Sequence, residues 1–187
     1  MPTNLMQAQL ETLITACRNG NQMAQMQLYD QYCNAMFTVA YRYLNNEEDA
    51  KDATQEGFLK AFVNLEDYKP EATFGAWLKR IVINQCLDVL KKRKIEFSGV
   101  EVSELQIIDN NDWRFDSSLT KKDILNAIAQ LNEKHKIVIK LYLIEGYDHT
   151  EISEILDIPI KTSRTHLRRG KLKLQELLKQ KYNEARY

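Results

Sequence analysis

Proline and glycine are scarce: three and six respectively in 187 residues. So few breakers exclude a turn-rich architecture and favour long helices. Cysteine is scarcer still in useful patterns. Cys17, Cys33 and Cys86 are odd in number, widely spaced and without a C-x-x-C pair, so reduced thiols explain them better than disulfides or zinc. No apolar run approaches the roughly 18 residues a membrane span needs. The opening MPTNLMQAQLETLI lacks the basic start and unbroken apolar core of a secretion signal. A cytoplasmic protein without membrane insertion is the expectation. Disorder is excluded by composition, since hydrophobic residues make up 44% and charged residues 28% of the chain. The length allows one large domain or two small ones.

Net charge is also missing, with 26 basic against 26 acidic residues, but the charges are sorted. Residues 1–94 balance at 11 against 11. Residues 95–119 hold one Arg and six Asp/Glu, a net of −5, and residues 120–187 hold 14 basic and 9 acidic, a net of +5. From Lys161 onward the count is 9 against 2. A basic end of this kind suggests a polyanionic partner, with nucleic acid the first candidate.

The periodicity is helical throughout, and no sustained two-residue alternation suggests a strand. Asn46 can cap a helix that opens with Glu47, Glu48 and Asp49, carboxylates suited to the positive end of its dipole. Ala50, Ala53, Gly57, Phe58, Ala61, Phe62 and Leu65 then form an inward stripe. Asp67 to Thr73 breaks the pattern with Pro70, and a further helix runs from about Phe74 to the basic cluster at 91–94. Along it Trp77, Arg80, Asn84 and Lys91 fall within about 60° of one another, with Asp88 on the same strip. An aromatic ring, cations and an amide on one face suit an unpaired nucleic-acid strand. The competing reading makes Trp77 core and the others ordinary surface.

The acidic stretch 95–119 has no clear periodicity and reads as a linker. Beyond it the pattern returns as four short helices. Asn132 starts one, with Ile137, Val138, Leu141 and Tyr142 as its apolar face and Gly146 near its end. Asp148 and Glu151 have capping-box spacing. Ile152, Ile155 and Leu156 face inward until Pro159 stops the helix, and a basic helix starts near Ile160. Short helix, tight turn and basic helix outline a helix-turn-helix. On the last helix Ser163, Leu167, Gly170 and Leu174 fall on one side, at about 100° per residue, and Lys161, Arg164, Thr165 and Arg168 on the other, flanked by His166 and Arg169. A stripe of donors backed by a buried seam is suited to a major groove.

Two stretches resemble a known family. The run Asp52, Gln55, Glu56, Gly57, Phe58, Ala61, Phe62, followed by Phe74, Trp77, Leu78, Ile81, Asn84 and Asp88, resembles the polymerase-binding and promoter-melting region of extracytoplasmic-function sigma factors. Gly146, Tyr147, Glu151, Ile152, Ile155, Leu156, Ile158, Pro159, Thr162, Leu167, Arg169 and Leu174 resemble their minus-thirty-five-reading domain. Lys161-Thr162 stands where that family often has Gly-Thr, Thr165-His166 where Ser-Arg is common, and Asp157 where a glycine is frequent.

The resemblance implies an all-α protein of two small helical domains, 1–94 and 120–187, joined by the acidic linker. It implies a specificity subunit of RNA polymerase with no catalytic residues, no metal and no cofactor. Its partners would be core polymerase, through the largest subunit's clamp helices and the flap, promoter DNA, and an anti-sigma factor. Asp52, Gln55 and Glu56 would dock on the clamp helices. Tyr68 to Thr73, Lys69 included, would form a loop that captures a base flipped from the minus-ten element, with Asn84 helping, Tyr68 as an aromatic wall, and Trp77 and Arg80 supporting strand separation. Lys161, Arg164, Thr165, His166, Arg168 and Arg169 would meet the minus-thirty-five element.

Two rivals remain. A simple helix-turn-helix regulator accounts for residues 120–187 and leaves the face of Asp52, Gln55 and Glu56 without use. A metal-dependent nuclease needs converging ligands, but Glu47, Glu48, Asp49 and Asp52 scatter around their helix, and His135, His149 and His166 lack ligand spacing.

Overall fold

The computed structural model describes residues 2–93 and 119–184; the acidic stretch read above as a linker lies almost wholly outside them. Every regular element among the described residues is helical. The chain divides into two compact units, Met1–Lys94 and Ile95–Tyr187.

The first unit contains α1 (Pro2–Arg18), α2 (Gln22–Leu44), α3 (Glu47–Val63), a 3₁₀ turn (Leu65–Asp67) and α4 (Phe74–Lys92). Helices α2, α3 and α4 each start on their own cap. The side chains of Asn21, Asn46 and Thr73 accept from the backbone N–H of Ala24, Asp49 and Ala76 at 3.1, 3.0 and 3.3 Å. Gly20 at φ +75° closes α1, and Asn45 at φ 50° closes α2. The stripe of α3 is buried as its spacing predicts: Ala50, Ala53, Phe58 and Ala61 are all 2% exposed or less. Small residues there let α3 and α4 approach closely. A Cβ on Gly57 would stand 2.7 Å from Cγ2 of Val82, which itself is fully buried. Leu28, Leu65, Phe74, Leu78, Ile83 and Leu87 complete the core, each contributing about 1.5–3 kcal/mol of burial. Arg93, just past α4, pairs with Asp49 in the first turn of α3.

The second unit contains α5 (Lys121–Ala129), α6 (Glu133–Ile139), a π-helical continuation (Lys140–Glu145), α7 (His149–Leu156) and α8 (Ile160–Glu184). Thr120 and Asp123 form a capping box on α5. Lys181 of α8 reaches the same Asp123 at 2.5 Å. That ammonium first, then the Thr120 hydroxyl and N–H, hold the Asp123 carboxyl far below the usual carboxylate range. Gly146, at φ 83°, ends the π segment as a left-handed cap. The last helix departs from expectation in length: α8 has 25 residues, a rod of about 37 Å. It is long because it packs on α5, α6 and α7 in turn. Gly170 lies at a close approach of α8 to α6, since a Cβ there would lie 2.9 Å from Cγ1 of Ile139.

Candidate nucleic-acid interface

Asp148 accepts from the N–H groups of Thr150 and Glu151 at 2.7 and 2.9 Å, and Glu151 accepts from the Asp148 N–H at 2.9 Å, so the capping box is closed on both sides. Helix α7 ends at Asp157 in the left-handed conformation, φ 53° and ψ 52°. Ser153 Oγ donates to the Ile158 carbonyl at 2.6 Å and the Ile158 N–H returns to the Ser153 carbonyl at 3.1 Å. These bonds fix the three-residue turn from which α8 departs. A further link sets the angle between the two helices: His149 Nδ1 meets Oγ of the fully buried Ser163 at 2.9 Å. The His149 ring also lies 4.9 Å from that of Tyr142, over which Lys171 sits at 5.6 Å. Burial, and next the Arg164 charge, lower the proton affinity of His149; Asp148 opposes and Lys171 adds to it.

With α8 held in this way, Lys161, Arg164 and Arg168 are exposed and Thr165 and Arg169 half-buried. Thr165 Oγ1 donates back to the Lys161 carbonyl at 2.9 Å, leaving its lone pairs outward. His166 corrects the sequence reading. It is 3% exposed and turned toward α6, its ring 5.5 Å from that of His135, so it is part of the packing and does not face outward. The sequence reading set it at the flank of the outward stripe, but a helix packed against three others buries a wider arc than the seam alone.

In the first unit, α4 presents Arg80, Asn84, Asp88 and Lys91 to solvent, with Trp77 half-buried at the head of the strip. The Asp88 carboxylate lies 3.7 Å from the Lys60 ammonium, which also donates to Gln85 Oε1 at 2.5 Å. One face of Trp77 packs on Tyr68 and Phe74 at 5.5 and 5.6 Å between ring centres, in keeping with the packing reading. Tyr68 is placed differently from the aromatic wall expected on an open pocket. It is 8% exposed, edge-on to Phe74, and its hydroxyl donates to the Ala72 carbonyl at 3.0 Å. Its ring therefore organises the loop from beneath, while Lys69 to Thr73 remain exposed.

Asp52, Gln55 and Glu56 project from α3, away from its buried stripe. The strip does not end with them. Leu59 and Val63, 59% and 82% exposed, fall in line with Asp52 and Glu56. The sequence reading missed both, although their positions off the inward stripe were a usable signal. Three of the four acids weighed above as metal ligands are engaged elsewhere: Glu47 and Glu48 with Lys51, Asp49 with Arg93. No group of three metal-ligating side chains occurs among the described residues.

Two known family models match, Sigma-70 region 2 over residues 28–95 and Sigma-70, region 4 over residues 121–174. Together with the two helical units they define a sigma subunit, the non-catalytic specificity component of bacterial RNA polymerase. The ECF RNA polymerase sigma factor SigW of Bacillus subtilis (strain 168) is 30% identical over 185 residues, covering 93% of this chain and 99% of that protein. SigE of Mycolicibacterium smegmatis, also an ECF sigma factor, is 29% identical over 163 residues, covering 85% and 63%. The solved structure of CnrH in complex with the cytosolic domain of CnrY superposes with a TM-score of 0.53 at 25% identity, covering 90% of this chain and 96% of that one. RpoE of Bartonella quintana, bound to the anti-sigma factor NepR, shares the fold, with a TM-score of 0.55 at 22% identity over 82% and 96% of the chains. The chain belongs to the extracytoplasmic-function sigma factors. Its function is to direct RNA polymerase to promoters and initiate transcription there.

Proposed function

We propose a division of that function among named side chains. Residues 1–94 form the unit that docks on polymerase and opens the minus-ten element, 95–119 an acidic linker, and 120–187 the unit that reads the minus-thirty-five element. Asp52, Gln55 and Glu56, extended by Leu59 and Val63, dock on the clamp helices of the largest subunit; residues 120–187 meet the flap. Lys69 to Thr73 and Asn84 receive the unpaired minus-ten base, with Tyr68 as the loop's internal support and Trp77 and Arg80 against the neighbouring strand. An amide suits this task because it offers a donor and an acceptor to a base's exposed edge. Lys161, Arg164, Thr165, Arg168 and Arg169 enter the upstream major groove. The chain carries no catalytic centre of its own and acts in the cytoplasm. An anti-sigma factor holds it when transcription is not required, as the anti-sigma factor NepR is bound to the sigma factor RpoE in one similar structure.

The observation that supports this reading best is the outward strip of Lys161, Arg164 and Arg168 on a helix whose opposite side is buried. Its test is Arg168→Ala in reconstituted polymerase, with binding measured on variant upstream elements at several salt concentrations. Base reading predicts a loss of about 1–3 kcal/mol and relaxed preference at one position. Phosphate contact predicts an even loss and a salt slope smaller by about one. Unchanged affinity and slope remove Arg168 from the interface.

A further inference from the structure

The loop between α3 and α4 is held by a side chain from a distant part of the chain. Arg18, the last residue of α1, donates from Nε and Nη2 to the Leu65 carbonyl at 3.3 and 3.2 Å, and from Nη2 to the Tyr68 carbonyl at 3.0 Å. Its Nε also stands 3.8 Å from the Glu66 carboxylate. Leu65, 2% exposed, anchors this end of the loop in the core. The far end is fixed by two other contacts: the Tyr68 hydroxyl on the Ala72 carbonyl at 3.0 Å, and Thr73 as the cap of α4. Between the anchors only Lys69, Pro70 and Glu71 span open solvent, and Pro70 has its own φ fixed by its ring.

The chemistry of this anchor is particular to arginine. A planar guanidinium holds two carbonyls at a set separation through N–H groups in a rigid fork, whereas a lysine ammonium is a single mobile point. Holding the Tyr68 carbonyl also fixes the residue whose ring and hydroxyl support the rest of the loop. A loop already shaped before a ligand arrives loses less conformational freedom on binding, so more of the contact energy appears as affinity and selectivity. The need is acute for a flipped base, whose removal from the stack costs a few kcal/mol.

We propose that Arg18 is a positioning residue for minus-ten recognition: its bonds to the Leu65 and Tyr68 carbonyls preshape residues 69–73 to receive the unpaired base. This rests on the reading above that residues 69–73 take that base. Arg18 itself touches no DNA; it acts through the loop backbone, from a helix that precedes the segment matched by the region 2 family model.

The experiment uses polymerase reconstituted with the full chain. Single-stranded minus-ten oligonucleotides are first selected from a random pool by the unaltered holoenzyme, then altered one base at a time. Arg18→Lys and Arg18→Ala are compared with a loop variant in which Lys69, Pro70 and Glu71 are all glycine. Selectivity at one base should fall about tenfold in both Arg18 variants, with affinity for core polymerase and for duplex upstream element unchanged. Arg18→Lys keeps charge and stem and serves if Arg18→Ala fails to fold. An even loss of affinity for every base, with selectivity intact, means that Arg18 only docks α1 and overturns the proposal. So does unchanged selectivity in Arg18→Lys while the glycine loop loses it. A glycine loop with parental selectivity overturns the reading of the loop itself.

Discussion

Asp157 holds a left-handed conformation that achiral glycine adopts freely and L-residues other than asparagine and aspartate mostly avoid, with φ 53° and ψ 52° at the end of α7. Its N–H bonds the Ser153 carbonyl, so the turn keeps this geometry whatever the side chain. A glycine at this position would adopt the same angles without strain. Asp157→Gly should therefore stabilise the second unit by about 0.5–1 kcal/mol, the relief of left-handed strain exceeding the flexibility that glycine adds to the unfolded chain. A thermal midpoint raised by a few degrees in scanning calorimetry is the expected reading, and a lowered one refutes the account.

At the scale of elements, the junction of α7 and α8 is sensitive to protons. His149 binds its proton less tightly in the folded protein than in the unfolded chain, chiefly through burial and then through Arg164. The sign follows from linkage: the unfolded state takes up the proton first as pH falls. The stability that neutral His149 provides is present above the ordinary histidine range and is lost as pH drops through and below it. Urea midpoints measured from pH about 7.5 to about 5 should fall more for the parent than for His149→Gln. Parallel curves would show that His149 does not couple folding to pH.

Element boundaries were legible because capping is local chemistry. Asn46, Asp148 with Glu151, and Gly146 each act on atoms a few residues away, and the structure shows each at the end its spacing predicts, whereas α7 stops at the left-handed Asp157 and Pro159 leads into α8 instead. Asn21, which caps α2 just after left-handed Gly20, carries the same kind of local signal. What depended on packing between elements was harder to read. A helical wheel gives the angle of His166 but not the number of helices that close over it. Tyr68 faces inward because Phe74 and Trp77 are there to receive it. The π-helical continuation of α6 has no composition mark. Arg18 and the loop carbonyls it holds are 47 and 50 residues apart in sequence, beyond any periodic pattern.

For the whole molecule, two separate cores mean that damage to one need not spread. The contact at Gly57 tests this. An alanine methyl there would meet Val82 at 2.7 Å, and valine is stiff at χ1 and has little room to turn. The overlap costs about 1–3 kcal/mol, against a gain of about 1 kcal/mol in helix propensity, so Gly57→Ala should be destabilising on balance. Hydrogen exchange should quicken across residues 2–93 and leave 119–184 as they were. Equal quickening in both units would mean that they unfold as one.

The long last helix separates two duties by face. Leu167, Gly170 and Leu174 hold it against the rest of its unit, and Lys161, Arg164 and Arg168 look outward. On the role proposed above for that strip, a substitution there would change which DNA is met without disturbing the seam. After gene duplication, one copy can drift toward new promoters while its descendants inherit an unchanged scaffold. Divergence of regulons then needs only a few codons, and intermediates along that path still fold.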